Sequence, residues 1–188
     1  KSNSSGVVSC GTFIERFSVS ADTVIEVTIP RDQAYLENEI PYEPNKGINI
    51  KVDAGQPKVV AYAHIFAGAR STATLVLPTE ALGQKYYAIS YTQNLVTQKI
   101  GDKDIMNVYS QFNIVAIEDD TRVLITPVHS NSKQATKVIL LQKKGDVYSY
   151  QNSSDITGSV IEVDPSNPCK KIAVFSGSSA LAIMPDAC

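Results

Sequence analysis

A chain of 188 residues is long enough for one large domain or two small ones, and at 43% hydrophobic and 19% charged it is too apolar for disorder. The formal net charge of -2 comes with Lys and Arg scattered singly, so no basic stripe exists to hold a nucleic-acid backbone. No apolar stretch approaches the ~20 residues that cross a bilayer; the longest, 59–69, is interrupted by His64 and bounded by Pro57 and Gly68.

The opening residues are polar and small and form no signal sequence; a start without Met is read as a mature or trimmed product. They carry Cys10 and a first glycosylation sequon, Asn3-Ser4-Ser5. From there apolar residues recur at period two between clusters of Gly, Pro, Asn, Asp and Ser, the pattern of half-buried strands. Strands are expected at 12–19 and at 23–29, where Ile25, Val27 and Ile29 alternate with Val24, Glu26 and Thr28. Asp32 to Asn38 supports one or two helical turns at most. In 47–53, Ile48, Ile50 and Val52 alternate with Asn49, Lys51 and Asp53. The next strand, 58–66, is apolar on both faces, with Val59, Ala61, Ala63 and Ile65 opposite Val60, Tyr62 and Phe66. Such a strand is expected at the centre of a sheet, covered by a layer on each side. Strands 71–77 and 86–91 follow, separated by a helical turn at Thr79 to Gln84. The polar stretch Thr92 to Asn107 reads as linker or loop. Beyond it come 111–117, 121–126, 137–142, 146–150, 158–163, 170–176 and 180–184. So many short strands without a full-length helix define an all-β chain of packed antiparallel sheets.

The order of motifs repeats. Asp22-Thr23 precedes Val24 to Pro30 as Asp120-Thr121 precedes Arg122 to Pro127. Ile50-Lys51-Val52-Asp53 and Pro57 correspond to Ile161-Glu162-Val163-Asp164 and Pro168, and Lys58 to Tyr62 corresponds to Lys170 to Val174. Both halves then reach an apolar strand ending in proline, Ser71 to Pro78 and Ser179 to Pro185. An internal duplication is therefore expected, with two related antiparallel sandwich-like units at 1–97 and 98–188 that pack separately or as one body.

Few residues suggest chemistry. Cys169 and Cys188 flank a predicted hairpin whose turn is Ser176 to Ser179, which brings them within disulfide reach and leaves Cys10 over. Two unrelated thiols, or a Cys188 that pairs elsewhere, stay open as alternatives. The second sequon, Asn152-Ser153-Ser154, lies like Asn3 in polar, loop-like sequence, and the two lean towards an extracellular site. His64 lies mid-strand and His129 in a polar loop, without Cys or carboxylates at ligand spacing, so no zinc site is expected. Gly177-Ser178-Ser179 has no nucleophile elbow around it, and Glu118, Asp119 and Asp120 are sequence neighbours whose side chains alternate between faces, so neither makes an enzyme. Calcium is the one cofactor weighed, at Glu118-Asp119-Asp120 or at Asp102-Lys103-Asp104, where Lys103 opposes it. Tyr35, Tyr42, Tyr86, Tyr87, Tyr91, Tyr109, Tyr148 and Tyr150 gather near predicted loops and strand ends, suited to an interface or to covering core edges.

Several strings resemble one known family. They are Ala69 to Gly83 (with Leu77-Pro78-Thr79-Glu80-Ala81-Leu82-Gly83), Tyr86-Tyr87 and Ser90-Tyr91, Ser110 to Thr121, Asp155-Ile156-Thr157-Gly158-Ser159, and Lys171 to Gly177. Over roughly 20–188 the chain resembles the N-terminal domain family of IgG Fc-binding proteins. Pro185-Asp186-Ala187-Cys188 resembles the place where that family continues with Cys-Asp-His. The resemblance implies a secreted module of mucus-type and adhesive proteins, set beside cysteine-rich repeats. It brings no residue motif for Fc recognition, so that activity is not carried over.

The function expected from these readings is non-catalytic recognition or adhesion outside the cell. A β scaffold would present the loops 31–46, 92–108 and 128–136 to an extracellular protein or glycan. The alternative is a structural spacer or assembly domain that meets other copies of its parent protein. No nucleic acid, membrane insertion or obligate cofactor is expected.

Overall fold

The computed structural model describes residues 2–37, 40–67, 70–91, 99–100, 103–104 and 109–179. The expected strand 180–184, Cys188, and most of 92–108 with the Asp102 calcium candidate lie outside the described residues. In chain order the strands are β1 (Ser4–Cys10), β2 (Phe13–Val19), β3 (Tyr42–Glu43), β4 (Asn49–Val52), β5 (Ala61–Ala67), β6 (Arg70–Val76), β7 (Lys85–Tyr87), β8 (Lys99–Ile100) and β9 (Lys103–Asp104). They continue as β10 (Ser110–Ala116), β11 (Thr121–Thr126), β12 (Val128–His129), β13 (Ser132–Lys133), β14 (Lys137–Leu141), β15 (Val147–Asn152), β16 (Val160–Val163) and β17 (Ile172–Ser178). The only helical segments among the described residues are α1 (Arg31–Ala34) and a single 3-10 turn at Thr79–Ala81. Neither helix is long enough to cross a membrane. The chain is all-β.

Two four-stranded antiparallel sheets, ordered β17-β10-β15-β3 and β14-β11-β16-β7, hold the core. Alternation decides their inner faces: in β10 Ser110, Phe112, Ile114 and Ala116 are buried, while Gln111, Asn113 and Val115 are half-buried on the other side. Phe112, Ile114 and Tyr150 from the first sheet meet Val123, Ile125, Leu141 and Ile161 from the second, with Ile156 and Ile172 closing the cluster. Burying each of these large side chains contributes about 1.5–3 kcal/mol, which makes this the region most costly to open. The strand β3 joins β15, and β7 joins β16, so segments from the first part of the chain complete sheets of the second.

A three-stranded sheet, β2-β1-β4, stands at the β14–β15 end of this core. Gly11 N–H donates to Asn45 O at 2.9 Å and Gly47 N–H donates to Gly145 O at 2.7 Å, tying the two together. Gly47 is a close-approach position: a Cβ there would lie 2.8 Å from Val115 Cγ1. The remaining long ladder, β5 with β6, is a two-stranded ribbon.

Three expectations need correcting. Residues 23–29 make no ladder among the described residues, and Val24 is 95% exposed; the strand that pairs with β4 is instead β1, a Ser- and Gly-rich run whose composition hides it. Residues 58–66 are not central: Tyr62 and Phe66 are 74% and 75% exposed on the ribbon, whose strands pair only with each other among the described residues. The expected disulfide is the third. Cys10 and Cys169 are both free thiols. The supposed hairpin turn is also absent, since Gly177 and Ser178 continue β17 opposite Gln111 and Ser110. A strand that runs straight through residues 176–178 does not fold back on Cys169 there.

Candidate functional site

The richest cluster of polar side chains lies at the far end of the core, where the chain passes through Ser90, Asp155–Ser159 and the β12–β13 hairpin. Asp155-Ile156-Thr157-Gly158-Ser159 is a self-capping turn. Asp155 Oδ1 accepts the Thr157 N–H at 2.9 Å, an Asx turn, and Gly158 sits at φ +88, where a side chain would be strained. Ser159 is fully buried; its hydroxyl donates to Ile156 O and accepts the Val128 N–H, both at 2.8 Å. The Ser90 hydroxyl donates to Asp155 Oδ1 at 2.6 Å and accepts the Ile156 N–H at 3.0 Å. Thr157 Oγ1 lies 2.7 Å from Asp155 Oδ1 and 3.0 Å from Ser90 O, and its single proton serves one of them at a time. The Ser90 hydroxyl, foremost, holds the Asp155 carboxyl below its ordinary range; burial opposes this and the Thr157 hydroxyl and amide add to it.

This turn gathers the roots of two of the three expected loops. Ser110 Oγ donates to Tyr91 O, and Tyr109 and Ser179 exchange hydrogen bonds at 2.8 Å, so the residues flanking 92–108 meet at this end. Ser130 N–H donates to Asp155 O at 2.9 Å, docking the β12–β13 hairpin beside it. That hairpin turns through Ser130 (φ 45) and Asn131 (φ 70), the two positive angles of a type I′ connection. Residues 131–138 beyond it are exposed. His129 is anchored rather than free: its Nε2 lies 2.6 Å from the Tyr150 hydroxyl, and Tyr150 stacks on Phe112 at 4.9 Å. Lys137 Nζ sits 5.5 Å from the Tyr150 ring centre. Burial raises the Tyr150 hydroxyl's pKa, with Tyr148 adding a smaller push.

The third loop, 31–46, is at the opposite end. There the side chain of Asp146, 1% exposed, accepts the Tyr42 hydroxyl at 2.5 Å, the Lys143 N–H at 2.8 Å and the Asn45 N–H at 3.1 Å. The same bond is the main reason the Tyr42 hydroxyl titrates above its ordinary value. The groove beside this joint, about 240 Å³, is lined by backbone around Gly11, Gly47 and Gly145 and by Cys10. Cys10 Sγ lies 3.4 Å from the carbonyls of Gln33 and Lys46, and burial raises its pKa against the pull of Lys46.

At the calcium candidate Glu118–Asp120, ammonium groups already meet the oxygens. Lys170 Nζ donates to the carbonyls of Asp119 and Asp120, and Lys143 Nζ reaches Asp119 Oδ2 at 3.0 Å. Asp120, at φ 49, turns the chain into β11. Among the described residues, no group of three His, Cys, Asp or Glu is placed to hold a metal ion. His64, on the exposed ribbon, has its Nε2 2.8 Å from Ser71 Oγ. The tyrosines divide: Tyr86 accepts the Gly83 N–H and donates to Ile172 O, a scaffold clip, whereas Tyr35, Tyr87 and Tyr91 are exposed. Sequence reading missed Ser90, Asp146 and the turn chemistry of Asp155. The turn signature Lys143-Lys144-Gly145-Asp146 was the one local signal for the second of these.

A family model described as IgGFc binding protein matches residues 72–188. No curated protein and no solved structure matches the chain. The sheets define an all-β module of several antiparallel sheets. The match covers more than half of the chain, and the chain belongs to the IgGFc-binding protein family. The strings that carried the resemblance act on one another: Ser90 binds Asp155, and the Gly83–Tyr86 turn binds Ile172. They build the scaffold.

Proposed function

We propose that this chain is a secreted recognition or adhesion module that grips an extracellular protein or glycan with the loops at one end of its core. The observation that carries this is that the residues on either side of 92–108, from Ser90–Tyr91 to Tyr109–Ser110, and the β12–β13 hairpin meet at or beside the Asp155–Ser159 turn. Loops set on a rigid hydrogen-bonded base are suited to binding, because the base restrains their roots while their tips vary. The loop 31–46, at the other end, is not part of this surface. Binding to an array of glycans and extracellular proteins, antibody Fc included, tests the reading. A saturable signal lost when 131–134 is replaced by a two-residue turn, and kept when 35–40 is shortened, supports it; an array with no saturable signal overturns it.

Two further readings accompany this one. The related-unit reading, 1–97 and 98–188 in one continuous body, is supported by matching turns. Thr23 Oγ1 donates to Ser20 O and Thr121 Oγ1 to Glu118 O, both at 2.8 Å, each after an Asp at positive φ. Glycans at Asn3 and Asn152 belong to the secreted-module reading: Asn3 Oδ1 accepts the Ala21 N–H and Asn152 Oδ1 accepts the Ser154 N–H, so in both the amide nitrogen is the atom left for modification. A peptide mass shift at each asparagine after secretion from a glycosylating cell checks this.

A further inference from the structure

The outer face of the sheet β17-β10-β15 is a surface the loop-end reading does not use. Register places its side chains in rows across three strands. Gly177, Gln111 and Gln151 form one row, and Phe175, Asn113 and Ser149 the next. Strands lie about 4.8 Å apart and successive rows about 6.8 Å apart, so two rows form a patch on the scale of one or two sugar rings. The third row, at Val115, is roofed by the Gly47 segment, which closes the patch at one end.

Three features of this patch point to the same kind of ligand. None of these positions carries charge, although 36 of the chain's 188 residues are Lys, Arg, Asp or Glu, so the face complements an uncharged partner. Its polar groups are amides and a hydroxyl, which offer donors and acceptors together, as hydroxyl-rich ligands require; Gln151 Nε2 donates to Gln111 Oε1 at 3.4 Å, a long bond that leaves each amide's other polar atom for a ligand. Asn113 Oδ1 is buried and has no hydrogen-bond partner, an acceptor still owed a donor. Beside these amides Phe175 stands 39% exposed as a wall, and the space above Gly177 is open, with nothing within 4 Å of where a Cβ would be. An aromatic wall, a glycine floor and convergent amides together suit the apolar face and the hydroxyl edge of a pyranose. We infer that this face binds a neutral oligosaccharide, with Phe175 against the ring's C–H face and Gln111, Asn113 and Gln151 on its hydroxyls. A small turn of the Asn113 amide about its soft terminal torsion brings Oδ1 to the ligand.

The test titrates the chain with N-acetyllactosamine and with mannotriose, using sialylated lactosamine as the charged comparison, and follows amide shifts by NMR. Saturable shifts at the side-chain amides of Gln111, Asn113 and Gln151 and at the Gly177 N–H are expected with a neutral sugar. In Gly177→Val the Cβ meets nothing within 4 Å and valine suits a strand, so the variant is expected to keep the fold, checked by its circular dichroism, while weakening binding about tenfold or more. Phe175→Ala is expected to weaken it similarly. The inference is overturned by neutral sugars that leave these amides unmoved, or by binding that survives Gly177→Val. It is overturned equally by shifts at these amides that follow protein concentration without sugar, the mark of a second copy. Shifts confined to Ser90, Asp155 and the β12–β13 hairpin would support the loop-end reading and refute this one.

Discussion

Removing the carboxylate of Asp146 is the most informative single perturbation of the scaffold. Its side chain gathers three donors from two stretches of chain: the Tyr42 hydroxyl and the Asn45 N–H from one, the Lys143 N–H from the other. In Asp146→Ala all three lose their acceptor. A hydrogen bond to a charged group contributes about 1.5–3 kcal/mol, and a buried donor left unpaired costs about 1–3 kcal/mol. Tyr42 is half-buried and Asn45 and Lys143 are exposed, so water recovers part of each bond once the acceptor is gone. The expected loss is about 2–3 kcal/mol. With a urea m-value of about 2 kcal/mol/M, the midpoint falls by about 1–1.5 M. Tyr42→Phe removes one donor and leaves the carboxylate its two backbone partners, so its cost is about 1–2 kcal/mol. Because both changes delete one shared bond, the double variant costs less than the sum of the two by about 1 kcal/mol. The assay is urea unfolding followed by circular dichroism, with hydrogen exchange at Asn45 and Lys143 to show where the damage falls. A midpoint within about 0.3 M of the parent in Asp146→Ala, or full additivity with Tyr42→Phe, refutes the account of Asp146 as the bolt between loop 31–46 and the β14–β15 turn.

Three other outcomes follow from the geometry. Asp119, Asp155 and Asp164 all titrate below their ordinary range; the largest causes are the Lys144 N–H, the Ser90 hydroxyl and the Ser166 N–H respectively. A folded value below the unfolded one of about 3.9 means the stabilisation is full above that pH and is lost as pH falls through the folded values. Urea midpoints should therefore hold from neutral pH to about 5 and fall below 4, less steeply in Asp155→Asn; a midpoint that rises on acidification contradicts this. In a Cys188→Ser background, Ellman's reagent should titrate Cys169 at once and Cys10 only on unfolding, since one is exposed and the other buried; two thiols reacting together would break the assignment. Gly47→Ala places a Cβ 2.8 Å from Val115 Cγ1 and 2.9 Å from Gly145 O, so a loss of about 1–3 kcal/mol in thermal unfolding is expected, and an unchanged melting point refutes the close approach.

Where burial alone decides the structure, the residue pattern was enough to read it. Thr121 to Thr126 and the alternating faces of β10 came through because each inward side chain meets the opposite sheet. The same pattern misled at 23–29 and 58–66, since alternation says which face is apolar and is silent about which edge will be offered as a partner. Ile25 and Val27 have a strand's periodicity, yet β1 claims the β4 edge with Gly6, Val7, Val8 and Ser9, a run with little strand signal of its own. The candidate site was less legible for a different reason. Its loops were marked as variable polar stretches, but their grouping depends on Ser90 reaching Asp155 across 65 residues. Ser130 meets the same turn through backbone alone. A side-chain hydrogen bond at that separation leaves no period and no composition bias, so only the folded chain reveals that the residues flanking 92–108 share an end with 128–136 while 31–46 does not. The identity of the loops was in the sequence, and their company was in the fold.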